Sequence, residues 1–241
     1  MSDPGATPIV SVIMPAFNAE RYVAEAVDSV LAQRFDDLEL LITDDASTDG
    51  TAEAIARYAA DPRVRIFRHD ANRGAAATRN EQIAAARGRY VSPCDADDVM
   101  LPGHLRRLSE FLEGHPDVGV VYADILVLNT GEHDELLGPP TVCGVDCNVT
   151  WDLMQNAVNH GGSMSRREVL LRAGGYDETM YSIDDWSLWL KVAEITRIHY
   201  LAGELFYVWR RHPGSMTRTE AHYNRDVTRM MEEAARRRGF R

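Results

Sequence analysis

The sequence has few cysteines, a single lysine and no long apolar run, and these shortages narrow the class of protein. Its three cysteines, Cys94, Cys143 and Cys147, leave one thiol unpaired and lack the repeated short spacing of a zinc site. No stretch of about 18 apolar residues occurs, so no membrane-spanning helix is predicted. Residues 1–8 lack the pattern of a signal peptide. We therefore expect a protein of the reducing cytoplasm.

The charge balance and the length limit the partners and the domain count. The chain has 37 Asp and Glu against 26 Lys and Arg, a formal net charge of −11. Because nucleic acids bind clustered cations, this balance argues against nucleic acid as a general partner. The 241 residues suffice for one large α/β domain without a linker. We expect a first half over residues 1–100, a second half over residues 101–219 and a C-terminal helix over residues 220–241.

Short apolar runs alternate with helical patterns over the first hundred residues. Strands are predicted at residues 9–14, 38–43, 64–67 and 90–92, and helices at about residues 20–33, 51–60 and 75–87. Such alternation predicts an α/β fold with a Rossmann-like, mostly parallel sheet, right-handed crossovers and helices on both faces. Ligands of these sheets bind beyond the carboxyl ends of the strands.

An acidic cluster, Asp95, Asp97 and Asp98, follows the fourth predicted strand directly. Three carboxylates this close repel each other unless a cation neutralises them. Oxygen ligands favour Mg²⁺ or Mn²⁺, and Mg²⁺ usually takes one or two protein carboxylates and completes its shell with phosphate and water. The cluster therefore predicts a metal and a phosphate-bearing substrate. The alternative is that Asp97 or Asp98 caps a helix beginning near residues 101–102.

Polar loops also follow the first three predicted strands, at residues 15–18, 44–51 and 69–74. Any one of them could be turn chemistry alone, because turns use Asp, Asn, Ser and Gly. Their common position with the acidic cluster at one edge of the sheet favours a binding site.

Seven segments carry motifs with a shared order and spacing. They lie at residues 10–18, 44–51, 72–80, 94–98, 174–177, 184–190 and 209–215. Together they resemble the motifs of glycosyltransferase family 2, an inverting family with the glycosyltransferase-A fold, over about residues 9–217. The segment at residues 184–190 is similar to the family's Glu-Asp-x-x-Leu-Trp motif, with Asp184 in place of the usual Glu.

The resemblance implies a reaction and its participants. The protein would move a sugar from a nucleotide-diphospho-sugar to a hydroxyl of a glycan or lipid-linked acceptor during assembly of a cell-surface polysaccharide. Mn²⁺ or Mg²⁺ is implied as the cofactor. Family frequency favours a UDP-linked donor, and the pocket around Asp45 and Asp95 would decide between uridine, thymidine and guanosine.

The resemblance also implies a set of donor-binding residues. These are Pro15, Ala16, Asn18, Asp45, Arg79, Asp95, Ala96, Arg210 and Arg211. Within the set, Asp45 would contact the base and Asp95 would lie near the ribose. Arg210 or Arg211 would stabilise the departing diphosphate. Arg79 either stacks on the nucleotide or binds the pyrophosphate, or else is a solvated helical residue.

The same resemblance assigns the metal ligand and the base. Asp97 would bind the metal, with Asp98 as a helix cap or a support behind it. His212 is either a further metal or diphosphate contact or a loop histidine with structural hydrogen bonds. Asp185 would be the catalytic base and Asp184 the flanking acid. Because Asp184 replaces the family's Glu, the assignment between these two stays open.

The acceptor site is implied by fewer residues. Gly161 and Gly162 permit close backbone approach beside an acceptor, or they form a plain strand turn. Trp186 would flank the acceptor as a sugar platform, whereas Trp189 is expected in the core. Residues 130–149 match the family least, and we expect them to form a lid or specificity element.

The C-terminal segment has an apolar face at helical spacing, formed by Tyr223, Val227, Met230, Met231 and Ala234. The segment ends in a basic tip, residues 236–241, that carries four arginines. The helix either packs on the domain with a solvated tip, or rests its tip on an anionic membrane as a peripheral contact.

Other functions fit the sequence less well. A haloacid-dehalogenase-like phosphatase needs a lysine before its second acidic pair, but the single lysine, Lys191, follows residues 184–185. A dinucleotide dehydrogenase lacks its Gly-x-Gly-x-x-Gly motif after the first strand. The remaining alternative is a non-catalytic nucleotide-sugar-binding protein of the same fold.

Overall fold

The computed structural model describes residues 8–144, 146, 156–180, 183–215 and 220–239. The described residues do not include residues 1–7 or Cys147. They also do not include residues 145 and 147–149 of the predicted specificity element or residues 240–241 of the basic tip. In the described part of the chain, no helix carries an apolar stretch of 18 residues able to cross a bilayer.

Strands and helices alternate as the sequence predicts, each within a few residues of its expected bounds over the first hundred residues. The elements are β1 (Val10–Ala16), α1 (Val23–Leu31), β2 (Leu38–Asp44), α2 (Thr51–Ala56), β3 (Val64–Arg68), α3 (Ala75–Ala85), β4 (Tyr90–Pro93), β5 (Val99–Met100), α4 (His104–Gly114), β6 (Val118–Asn129), β7 (Thr141–Cys143), β8 (Ser163–Arg166), α5 (Arg167–Arg172), α6 (Asp184–Ala193), β9 (Arg197–Arg211) and α7 (Glu220–Arg237).

One sheet runs through both predicted halves, in the order β3-β2-β1-β4-β8-β6-β9-β5, with β7 paired to β6. Its first four strands are all parallel. Strand β8 is antiparallel to both β4 and β6, and β6 runs parallel to β9. The carboxyl ends of β1, β2 and β4 therefore meet at one edge, where the polar loops follow them.

Helices cover both faces of the sheet, as predicted. Neighbouring strand residues point to opposite faces, so Val12 belongs to the apolar cluster that includes residues of α1, α2 and α4, whereas Ile13 belongs to the cluster that includes residues of α3, α5 and α6. Strands β1, β2 and β4 are buried on both faces, which explains why these parallel strands read as mainly apolar runs.

The C-terminal helix α7 packs against α6. Met230 and Ala234 are buried there, and Val227 and Met231 are partly buried, which confirms the predicted packing face. Tyr223 is 45% exposed and does not belong to it. Of the basic tip, Arg236 pairs with Glu232, and Arg237 and Arg238 pair with Glu194.

Candidate active site

The acidic cluster after β4 folds into a tight turn, in which the Asp98 N–H donates to the Asp95 carbonyl oxygen at 3.1 Å. Its three carboxylates have different partners. Asp95 contacts Arg79, Asp97 contacts His212, and Asp98 contacts strand β9. Each of the three carboxylates therefore has its own partner, while the charges of the cluster still repel each other.

Asp98 anchors the cluster to β9. It is 3% exposed and accepts hydrogen bonds from Tyr207 Oη at 2.9 Å and the Arg210 N–H at 2.8 Å. Burial and the charges of the neighbouring aspartates raise the pKa of Asp98 well above its ordinary value. The alternative that Asp97 or Asp98 caps a helix is wrong, because α4 begins only at His104 and receives no side-chain cap.

Arg79 connects the acidic cluster to α6. Its Nη2 donates to Asp95 Oδ1 at 2.7 Å, and its Nη1 donates to Asp184 Oδ2 at 2.8 Å. The residue is only 6% exposed, so the alternative of a solvated helical arginine is wrong. A contact between Arg79 and a nucleotide stays a prediction.

The paired carboxylates at the start of α6 have different surroundings. Asp184 is 5% exposed and is held by Arg79, whereas Asp185 Oδ1 accepts the Trp186 N–H at 2.7 Å. Asn156 Nδ2 lies 3.5 Å from Asp185 Oδ2. Burial and the negative charge of Asp184 raise the pKa of Asp185 to about 7. A carboxylate with that pKa can accept a proton near neutral pH, as a general base must.

Asp97 and His212 form a pair that could hold a metal. Asp97 Oδ2 lies 3.0 Å from His212 Nε2, and the Gly214 N–H donates to the other ring nitrogen at 3.2 Å. No group of three His, Cys, Asp or Glu side chains able to hold an ion occurs among the described residues. One carboxylate and one imidazole nevertheless fit Mn²⁺ or Mg²⁺, because substrate phosphates and water can complete the shell.

Asp45 organises the loop before α3. Its oxygens accept the backbone N–H groups of Arg73 at 2.9 Å and Gly74 at 2.8 Å, and Gly74 has a φ of +86° that favours glycine. His69 bridges Asp45 and Glu81, each at 2.7 Å. Burial alone would lower the pKa of His69, but these two carboxylates raise it. A contact between Asp45 and a base stays a prediction.

The loops after β1 and β2 are joined at the same edge. The Asp45 N–H donates to the Ala16 carbonyl oxygen at 2.8 Å, and the Asn18 N–H donates to Ser47 Oγ at 3.0 Å. Ala96 is buried within the acidic turn. The structure therefore brings together most of the predicted donor residues, namely Pro15, Ala16, Asn18, Asp45, Asp95 and Ala96.

Tyr207 supports the acidic turn and was missed by the sequence analysis. Its Oη accepts the Asp95 N–H at 3.1 Å and donates to Asp98. A side-chain carbon on Gly161 would lie 2.2 Å from the Tyr207 ring, and one on Gly162 would lie 2.8 Å from β6. These glycines thus allow close approach to the protein's own strands, and a role beside an acceptor stays a prediction. Because Tyr207 lies in an apolar strand pattern, no sequence signal separates it from an ordinary core residue.

Trp186 does not form an open platform. It is 4% exposed and packs with Leu190, Met230 and Ala234 beneath α7. A role of this ring beside an acceptor stays a prediction. Trp189 is 2% exposed in the core, as predicted.

The two arginines at the end of β9 are separated. Arg210 Nη2 donates to Glu25 at 2.8 Å and Nη1 donates to the Asp97 carbonyl oxygen at 3.1 Å, so its charge lies beside the metal-ligand candidates. The guanidinium of Arg211 instead lies 5.1 Å from the centroid of the Trp209 ring. Either role at the diphosphate stays a prediction, with Arg210 the nearer to Asp97.

The described part of the predicted specificity element begins with a turn docked on the start of α1. Tyr22 Oη donates to Asp134 Oδ1 at 2.7 Å, and Arg21 pairs with the same carboxylate. A pocket of about 290 Å³ lies between this turn, α1 and Arg210. Leu136, which lines it, is 55% exposed. The role of this segment at an acceptor stays a prediction.

Comparisons of the sequence with a family profile and with known proteins point to the same family. The profile of Glycosyl transferase family 2 matches residues 11–170. The putative glycosyltransferase EpsE of Bacillus subtilis is 31% identical over 95% of this chain and 83% of its own length. Another B. subtilis protein, the putative teichuronic acid biosynthesis glycosyltransferase TuaG, is 41% identical over 44% of this chain and 42% of its own length. The protein y4gI of Sinorhizobium fredii is 30% identical over 94% of this chain. The match covers only 25% of the length of y4gI.

Solved structures share the fold at low identity. Residues 1–349 of Staphylococcus aureus TarS in complex with UDP-GlcNAc superpose with a TM-score of 0.73 and 22% identity, covering 94% of this chain and 65% of that one. The mannosyltransferase PcManGT of Pyrobaculum calidifontis, in complex with GDP-Man and Mn²⁺, gives a TM-score of 0.68 and 22% identity, covering 97% and 66%.

Proposed function

Because the chain belongs to glycosyl transferase family 2, we propose that it transfers a sugar from a nucleotide-diphospho-sugar to a hydroxyl of a glycan or lipid-linked acceptor with inversion. Its fold is the glycosyltransferase-A fold. The observation that carries the proposal is the position of Asp185, a carboxylate with a pKa of about 7, linked through Asp184 and Arg79 to the acidic cluster.

In the proposed reaction Asp185 takes the proton of the acceptor hydroxyl. The acceptor oxygen then attacks the anomeric carbon of the donor, and the bond from that carbon to the diphosphate oxygen breaks. One displacement from the opposite face inverts the anomeric configuration. Asp184 is the flanking acid, since its carboxylate is occupied by Arg79.

Asp97 and His212 would hold the divalent metal of the proposed reaction, Mn²⁺ or Mg²⁺. When bound, such an ion neutralises the charge of the diphosphate. Arg210 adds positive charge beside Asp97. The complex of PcManGT with GDP-Man and Mn²⁺ supports a divalent metal for a protein of the same fold.

The donor is proposed to be UDP-linked, which family frequency and the TarS complex with UDP-GlcNAc support. The nucleoside pocket would be formed by residues of the first half, and the acceptor site by the second half around Gly161 and Gly162. The naming of TuaG supports a cell-surface polysaccharide as the product. We also propose that the enzyme works at the inner face of the membrane, through a peripheral contact of its basic tip.

Release of nucleoside diphosphate from a panel of UDP-, TDP- and GDP-sugars with Mn²⁺ tests the proposal. Asp185→Asn should lower turnover by about 10²–10⁴-fold with donor affinity nearly unchanged, because base loss acts on the chemical step. Asp184→Asn is the matched control and should retain more activity. If Asp184→Asn is instead the less active variant, the roles of Asp184 and Asp185 are exchanged. Tight binding of a nucleotide-sugar without any turnover would instead support a non-catalytic binding protein.

A further inference from the structure

Arg79 links the acidic turn to the start of α6. Its two terminal nitrogens bind different carboxylates, Asp95 at 2.7 Å and Asp184 at 2.8 Å. Asp95 belongs to the loop after β4, whereas Asp184 begins α6. The planar guanidinium can hold two carboxylates at once in fixed directions, which the single ammonium of a lysine cannot do.

The charges around this bridge are unequal. Asp95, Asp184 and Asp185 are three acidic groups whose charges interact with that of Arg79. Burial and the charge of Arg79 lower the pKa of His160 to about 3, so its ring is neutral. Burial keeps the Tyr176 hydroxyl protonated as well, because it raises the pKa of that group. Among the described residues that act on Asp185, Arg79 therefore supplies the positive charge.

The bridge also fixes positions. Arg79 is 6% exposed and its guanidinium carbon lies 5.5 Å from the centroid of the Tyr176 ring. The neighbouring Asn80 accepts the Tyr176 N–H at 2.8 Å and donates to the Tyr176 carbonyl oxygen at 3.0 Å. Helix α3 thus holds the segment before α6 at two adjacent residues, Arg79 and Asn80.

We propose that Arg79 is a positioning residue, which joins Asp95 and Asp184 into one unit and so keeps Asp185 ionised and oriented for the acceptor. This role rests on the proposed function, in which Asp95 belongs to the donor site and Asp185 is the base. In this role Arg79 acts through Asp95 and Asp184, which its two terminal nitrogens bind, and not through a direct contact with the pyrophosphate.

Removing the positive charge should have a measurable effect on the pH dependence of the reaction. Without Arg79 the charge of Asp184 acts on Asp185 with less compensation, so the pKa of Asp185 should rise further above about 7. The base would then be protonated over a wider range of pH. Activity at high pH would be affected less than activity at neutral pH.

The test compares wild type, Arg79→Lys, Arg79→Gln and the double variant Arg79→Gln/Asp184→Asn. Nucleoside diphosphate release is measured from about pH 5 to about pH 9, with donor affinity from calorimetry and folding from thermal denaturation. For Arg79→Gln we expect the pKa that limits kcat/KM on the acid side of the pH profile, its acid limb, to rise by about one pH unit or more. At pH 7 this corresponds to a loss of about fivefold or more, while the donor Kd stays within about threefold. The double variant should move the limb back, because it removes the uncompensated charge.

Two results would overturn the proposal. An unchanged acid limb with a donor Kd weakened by about tenfold or more would assign Arg79 to the pyrophosphate. An unchanged limb with an equal loss at every pH would leave it a structural residue. Arg79→Lys keeps the charge, so its acid limb should stay with that of the wild type. If Arg79→Gln alone does not fold, the double variant Arg79→Gln/Asp184→Asn is compared with Asp184→Asn: loss of the positive charge should move the acid limb up between these two, and an unmoved limb would overturn the proposal. No release by the wild type with any donor would overturn the proposed function itself, a result distinct from these.

Discussion

Asp185→Asn should make the protein more stable as the pH rises, although it removes the proposed base. The folded state raises the pKa of Asp185 from the ordinary value of 3.8 to about 7, through burial and the charge of Asp184. Below pH 3.8 the side chain is neutral in both the folded and unfolded chains. Between these two values the unfolded chain loses the proton first, so the wild-type fold loses stability as the pH rises. Asparagine is neutral throughout and avoids this loss.

The size of the effect follows from the pKa difference. Moving a pKa from 3.8 to about 7 disfavours the ionised fold by at most about 4 kcal/mol, and about 3 kcal/mol of this develops between pH 5 and pH 8. The pKa of Asp184 is raised as well, and water reaches part of Asp185, so the full value will not be realised. We expect the advantage of the variant to grow by about 1–2 kcal/mol, or about 2–8 °C in Tm.

Thermal denaturation of both proteins at pH 5, 6, 7 and 8 measures this advantage. The informative quantity is the change in the Tm difference with pH, because any new contact of the amide adds the same offset at each pH. Asp36→Asn, at an exposed aspartate, is the matched control and should give a smaller change. A Tm difference that stays constant from pH 5 to pH 8 would refute the argument that the fold disfavours the ionised form of Asp185.

Two further outcomes are expected. Asp97→Asn should lower transfer by about 10²-fold or more at ordinary Mn²⁺ concentrations with an unchanged Tm, because a charge is removed from a repelling cluster; unaltered activity and unaltered Mn²⁺ dependence would contradict a ligand role. Deleting residues 236–241 should weaken binding to anionic liposomes at low salt without changing donor hydrolysis, since each basic residue near such a surface contributes about 1 kcal/mol. If the intact chain does not bind these liposomes at low salt, the tip is only a helix end.

The first half of the fold could be predicted because local pattern and long-range packing agree there. The strand at residues 38–43 is mainly apolar, and β1, β2 and β4 are buried almost along their whole length, so pattern and environment match there. The ends of parallel strands then share one edge, which gathers Asp45 and Asp95 without any knowledge of distances. The strand order of the second half was harder to predict from the sequence, because β8 and β9 pair with strands far away in the sequence.

The partners that the sequence did not reveal have a common feature. Trp186 and Arg79 each lie on a helix whose partner comes from a distant part of the chain. Helical spacing shows which residues share a face, but not what covers that face. Asp98 was ambiguous for a similar reason, because its partner Tyr207 lies in an apolar strand. Sequence motifs thus identified which residues gather at the site, whereas their partners required the tertiary structure.

The packing of α7 on α6 has a consequence for the order in which the chain can fold during synthesis. Strands β1 to β4 and helices α1 to α3 are complete by Pro93, so the parallel part of the sheet can form while the rest is still being made. Helix α6 emerges later, and the apolar face around Trp186 stays uncovered until Met230 and Ala234 follow it. A ribosome-bound intermediate should therefore form the edge of the sheet that carries the polar loops well before α6, which contains Asp185, becomes ordered.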